Sequence, residues 1–194
     1  MGSVANSNVP VGQLGKGGAG MAPIMTAKQH GMAMQRAGVK PPEPHVTTAD
    51  VKRKVDNGAV QYGIRGVDRS DAFVLVRGGY ATVYAHPGFK GYRSAYEAIA
   101  PGRASGLDVD HLRPKSTVSD GYVALGSISA SSNRSHGSDV SGSGMTGKVF
   151  GQTRSEANPS AIAGGATAEQ YGRAVTSGYM LPLSAINLSN LDRS

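Results

Sequence analysis

At 194 residues, with 28 glycines, no tryptophan and 6% aromatic residues, the chain has room for one ordinary domain with a small core, plus extensions. The absence of cysteine excludes a disulfide framework, a thiolate metal site and a cysteine nucleophile. Twenty Lys and Arg against 13 Asp and Glu leave a formal charge of +7, which attracts polyanions without choosing among them.

Residues 1–46 read as an arm rich in Gly, Met and Pro. Within it, Met25 to Ala37 has the pattern of a short Met-bearing helix, stopped by Gly38 and Pro41-Pro42. Gly15-Lys16-Gly17-Gly18-Ala19-Gly20 matches G-x-G-x-x-G, but it follows no strand, so the match carries no dinucleotide site. Residues 47–138 are the part expected to fold. Thr48 can cap a helix over Ala49–Asp56, ended by Asn57-Gly58. Ala72–Val76, Arg77-Gly78-Gly79 and Tyr80–Tyr84 read as a β-hairpin, with His86-Pro87-Gly88 as the turn after it. Arg93–Ala100 is a short helix closed by Pro101-Gly102, and Tyr92, Arg93 and Tyr96 mix aromatic and basic character there. An apolar stretch ending in Asp110-His111, a strand over Tyr122–Ile128 and a last helix from about Ser131 complete an α+β domain. Residues 139–194 form a Gly/Ser-rich extension, with a helical pattern over Ala166–Val175 and the apolar stop Met180-Leu181-Pro182-Leu183.

The chemistry is concentrated in Asp108-Val109-Asp110-His111-Leu112-Arg113-Pro114-Lys115-Ser116 and, about 20 residues on, Ser132-Asn133-Arg134-Ser135-His136-Gly137. A carboxylate such as Asp110 and an amide oxygen such as Asn133 are hard donors suited to Mg²⁺ or Mn²⁺. His136, three residues beyond Asn133, shares its helix face. Arg113, Lys115 and Arg134 are placed for backbone phosphates. An Asp-His pair alone is usually structural, and an Asn-Arg at a helix start is usually a cap. It is their joint occurrence, with Pro-x-Ser and an intervening strand, that points to phosphodiester hydrolysis.

Over about residues 107–137, this pattern of Asp-His-x-x-Pro-x-Ser, a strand and Asn-Arg resembles the HNH, or ββα-metal, endonucleases. The resemblance implies that His111 is the general base, that Asp110 and Asn133 hold a divalent metal, most simply Mg²⁺ with Mn²⁺ as the alternative, and that His136 is a further ligand or a phosphate contact. A His136 ligand would favour a transition metal. Neighbours on a strand point to opposite faces; in the family the conflict between Asp110 and His111 is relieved because the pair ends the strand. One departure stands out. The Asn that opens the family's second strand and orients the base has no counterpart in Tyr122-Val123-Ala124. A backbone carbonyl, a shifted spacing or a degenerate site would each account for it.

The expected activity is therefore a metal-dependent endonuclease acting on DNA. Its setting is that of a phage nuclease or of an antibacterial toxin opposed by an acidic immunity protein. Without a signal peptide or an apolar run of ~20 residues, no membrane is expected. The site of action is then cytoplasmic, reached by a signal-peptide-independent route or inside a virion. The alternative is a virion-type structural or scaffold protein, with its Gly-rich arms ordered by a larger assembly and its Asp-His pair non-catalytic.

Overall fold

The computed structural model describes residues 26–39, 43–113, 115, 118–128, 175 and 178–193. These build an α+β fold: an antiparallel sheet with three α-helices. In chain order they are α1 (Ala27–Arg36), β1 (His45–Val46), α2 (Thr48–Asp56), β2 (Val60–Ile64), β3 (Ala72–Arg77), β4 (Tyr80–Ala85), α3 (Tyr92–Ile99), β5 (Asp108–His111), β6 (Tyr122–Ile128), β7 (Leu181–Pro182) and β8 (Leu191–Asp192). The sheet runs β1-β6-β4-β3-β2-β8, with β5 pairing β6 and β7 pairing β4.

The centre is the β3–β4 hairpin, in register from Ala72↔Ala85 to Arg77↔Tyr80. Its turn is Gly78-Gly79, and both residues have positive φ (55° and 82°), the backbone that a two-residue hairpin following the strand twist demands. Apolar residues occupy both faces of β3, so the strand is buried on both sides. Phe73 and Leu75 enter one cluster with Met34 of α1, Val51 of α2, Tyr84 and Tyr179. Ala72 and Val74 enter the other, with Ala95, Tyr96 and Ile99 of α3. Helices thus cover both faces, and a small core is shared between two layers.

Three local details depart from the sequence pattern. Helix α2 is capped by Thr47, not Thr48. Thr47 Oγ1 accepts the Asp50 N–H at 3.1 Å, and Asp50 Oδ2 accepts the Thr47 N–H at 3.1 Å, a reciprocal capping box. Thr48 has Val51 three residues on, which cannot return the bond. Strand β2 carries little sequence signal of its own, since Gly63 interrupts its short apolar pattern. That glycine lies opposite Asp192 of β8, and a Cβ there would meet Arg69 Nε at 3.0 Å, so the missing side chain leaves room for the Arg69 side chain. Finally, residues 178–193 of the Gly/Ser-rich segment join the sheet edges. Ala81↔Leu181 ties β7 to β4, and Ile64↔Leu191 ties β8 to β2. Tyr179 is fully buried, and Tyr96 Oη donates to Gly178 O at 2.7 Å. Among the described residues, no helix is long and apolar enough to cross a membrane.

Candidate functional site

The candidate site is carried by the β5–β6 hairpin, in register from Asp108↔Ile128 to His111↔Leu125. Its two strands are joined by residues 112–121 rather than by a tight turn, and pairing resumes where Leu112 N–H donates to Ala124 O at 2.9 Å. Gly121, at φ 81°, lets the chain re-enter β6 directly against the backbone of Val46 and Thr47, a space that a side chain would fill.

Strand alternation decides where the motif side chains go. Val109 and His111 are buried and Asp108 and Asp110 half-buried. Val109 belongs to the cluster on the α3 side, whereas Leu112, of the same parity as Asp110, belongs to the opposite one. His111 ends β5, as expected for the pair, yet the alternation persists through it. Asp110 and His111 therefore do not present their functional atoms side by side. Instead, Asp110 Oδ1 accepts the backbone N–H of His111 at 2.8 Å, so the carboxylate braces the backbone that carries the imidazole.

The His111 ring is the unusual group of the fold. It is 3% exposed, and among the described residues neither Nδ1 nor Nε2 finds a hydrogen-bond partner. The other ring nitrogens clarify the contrast. His45 Nε2 lies 2.6 Å from Asp120 O, and His86 Nδ1 accepts the Gly88 N–H at 3.1 Å. His30 on α1 leaves Nδ1 unpartnered in a half-buried ring, but among the described residues only His111 has both nitrogens cut off. Leaving a buried polar group unpartnered costs about 1–3 kcal/mol, so such groups call for an explanation. Burial, and then the nearby Lys115 ammonium, push the His111 pKa down from 6.5 to about 3. The imidazole is thus neutral at pH 7, and in this environment it is a weaker base than a free imidazole.

Two further groups complete the surroundings. Tyr92, at the start of α3, sets its ring edge-on to His111, with centroids 4.5 Å apart and planes at 61°. Lys115 Nζ lies 4.5 Å from the centroid of the same Tyr92 ring, a cation–π contact on an exposed side chain. Arg113 is half-buried on the same connection. The sequence grouped Tyr92 with Arg93 and Tyr96, but tertiary contacts separate them. Arg93 pairs with Glu97 at 2.9 Å and reaches the Leu107 carbonyl, while Tyr96 is buried. Helical spacing alone gave no signal that Tyr92 meets His111, because that contact depends on how α3 crosses β5.

Asn133, Arg134 and His136, like Pro114 and Ser116 of the motif, lie outside the described residues. Among the described residues, no group of three His, Asp or Glu converges as a metal site. The described part of the site thus offers one hard oxygen donor, Asp110, and one unpartnered imidazole. That donor set suits Mg²⁺ or Mn²⁺ better than a thiophilic metal. Comparison with protein-family models, with curated proteins and with solved structures gives no match to this chain.

Proposed function

We propose that the protein is a metal-dependent endonuclease of the HNH (ββα-metal) type, hydrolysing DNA phosphodiester bonds, with His111 as general base. The observation that carries this reading is the buried, neutral imidazole at the end of β5 with both nitrogens unpartnered. A structural histidine normally bonds a carbonyl or carboxylate, as His45 and His86 bond backbone groups. An imidazole kept free of such bonds has its proton-accepting capacity in reserve. The β5–β6 hairpin followed by Asn133 also keeps the chain order of the motif.

In this reading His111 accepts the proton of the attacking water, and Asp110 and Asn133 hold the divalent ion, with His136 as a further ligand or a phosphate contact. Once bound, the ion supplies charge neutralisation at the scissile phosphate. Arg113, Lys115 and Arg134 grip the flanking phosphates. Lys115 leaves Tyr92 readily, because an exposed cation–π contact is worth only about 0.5–1 kcal/mol against a charge-assisted phosphate bond. Burial is the main cause of the low pKa and Lys115 the lesser one, so moving that cation off the site and bringing in an anion restore part of the imidazole's basicity. The phage setting and the toxin setting with an acidic immunity protein are both compatible with this chemistry.

The second reading, a virion-type scaffold with a structural Asp-His pair, is favoured by two observations: the 3% exposure of His111 and the use of Asp110 Oδ1 as a backbone brace. Plasmid nicking separates the two. The nuclease relaxes supercoiled DNA in Mg²⁺ or Mn²⁺ and stops on addition of EDTA. A preparation that leaves the plasmid intact with either ion sinks the nuclease reading and leaves the scaffold.

A further inference from the structure

The motif lacks the side-chain amide that orients the base histidine in HNH enzymes, and the structure removes one substitute for it. Among the described residues no backbone carbonyl does the orienting, because neither His111 nitrogen has a hydrogen-bond partner there. The ring is nevertheless confined. It sits on the α3 side of β5, with Leu125 opposite in register and the Tyr92 ring packed edge-on at 4.5 Å and 61°. Tyr92 is itself fixed, because it opens α3 and packs against the cluster that contains Tyr96 and Ile99. An edge-to-face aromatic pair has a preferred geometry and restricts the imidazole's rotation. Contact with a ring leaves both nitrogens free, whereas an amide or carbonyl would occupy one.

We propose that Tyr92 is the positioning residue for His111, holding the imidazole by ring packing in place of a hydrogen bond. Its role as a positioning residue in catalysis rests on the nuclease reading above; the packing itself does not. Two properties follow. The hydroxyl of Tyr92 is dispensable and its ring is not. Loss of the ring also acts on the chemical step rather than on substrate capture.

The test compares the full chain with Tyr92→Leu, which keeps an apolar filler in the cluster, and Tyr92→Phe, which keeps the ring. Tyr92→Leu should lower kcat on plasmid DNA by about 10²-fold, the scale of a misplaced catalytic group, with little change in KM. Tyr92→Phe should restore most of that rate. Independently of activity, the His111 ring protons should carry the ring-current shift of an adjacent aromatic edge in the parent and in Tyr92→Phe, and lose it in Tyr92→Leu. A Tyr92→Leu variant with the parent's kcat overturns the proposal, as does an equal kcat loss in Tyr92→Phe. If the parent cuts no DNA, the nuclease reading fails and the NMR signature decides the packing claim: His111 ring shifts unmoved in Tyr92→Leu overturn it, and shifts lost there and kept in Tyr92→Phe uphold it.

Discussion

Two hairpins share this sheet and are built to opposite ends. The β3–β4 hairpin closes through Gly78-Gly79, pairs along its whole length and fills both faces with apolar side chains. The β5–β6 hairpin is joined by residues 112–121, carries Asp108, Asp110 and His111, and buries an imidazole with no hydrogen-bond partner among the described residues. The first is given over to packing and backbone hydrogen bonding along most of its length. The second holds a destabilising group in place, and it can do so because its neighbours are over-determined. β6 is pinned to β4 by Tyr84↔Ala124 and Ala85↔Val123, and to β1 by His45↔Val123. Stability in one hairpin is what permits a strained chemical environment in the other.

The largest expected effect breaks the second hairpin's chemistry and leaves its fold. His111→Ala should reduce DNA cleavage by roughly 10²–10⁴-fold, the usual contribution of a positioned general base. Cleavage by this variant within a few-fold of the parent, measured as plasmid relaxation rates, would take His111 out of the mechanism.

Next comes the first hairpin's packing. Phe73 is 1% exposed and lies between Tyr84, at 5.6 Å between centroids, and Tyr122, at 4.7 Å. Phe73→Ala should destabilise the fold by about 3–5 kcal/mol in urea unfolding, from lost burial plus the cavity left behind. A loss below 1 kcal/mol, read with the usual ~10–15% extrapolation error, would mean that β3–β4 is not the anchor described.

The smallest effect has the opposite sign, which makes it the sharpest. His111→Leu fills the same space without unpartnered nitrogens and should stabilise the fold by about 1 kcal/mol while remaining inactive. The pH dependence should change with it. In the parent the folded-state pKa of His111 is depressed from 6.5 to about 3, so the unfolded chain takes up this proton first as the pH falls. The contribution of neutral His111 is therefore whole above pH 6.5 and is lost progressively as pH falls from there toward about 3. His111→Leu should flatten the stability profile over that window. A variant less stable than the parent at pH 7, with an unaltered acid limb, would show that the imidazole makes stabilising bonds and is structural.

Much of this molecule was legible one segment at a time. The β3–β4 hairpin, the α3 helix to within a residue, the strand Tyr122–Ile128 and the helix around Ala27–Arg36 all follow from local signals: Gly-Gly between apolar runs, short continuous apolar stretches, and a Met-bearing stretch stopped by glycine. Such signals work because they depend on residues close in sequence. They place Asp110 and His111 at a strand end, but they say nothing of what stands opposite.

What tertiary structure alone decided is of a different kind. Leu181–Pro182 and Leu191–Asp192 carry too few residues to announce strands, and they exist because the Tyr80–Ala81 end of β4, beyond its pairing with β6, and β2 offer backbone to pair with. At the candidate site, sequence alone named His111 by its company, Asp110, Arg113 and Lys115. Its burial, its unpartnered nitrogens and its contact with Tyr92 emerge only when α3 is laid across β5. The reason is physical: desolvation and ring packing are properties of what surrounds a side chain in space, and the residues that surround His111 lie on separate elements brought together by the shared core.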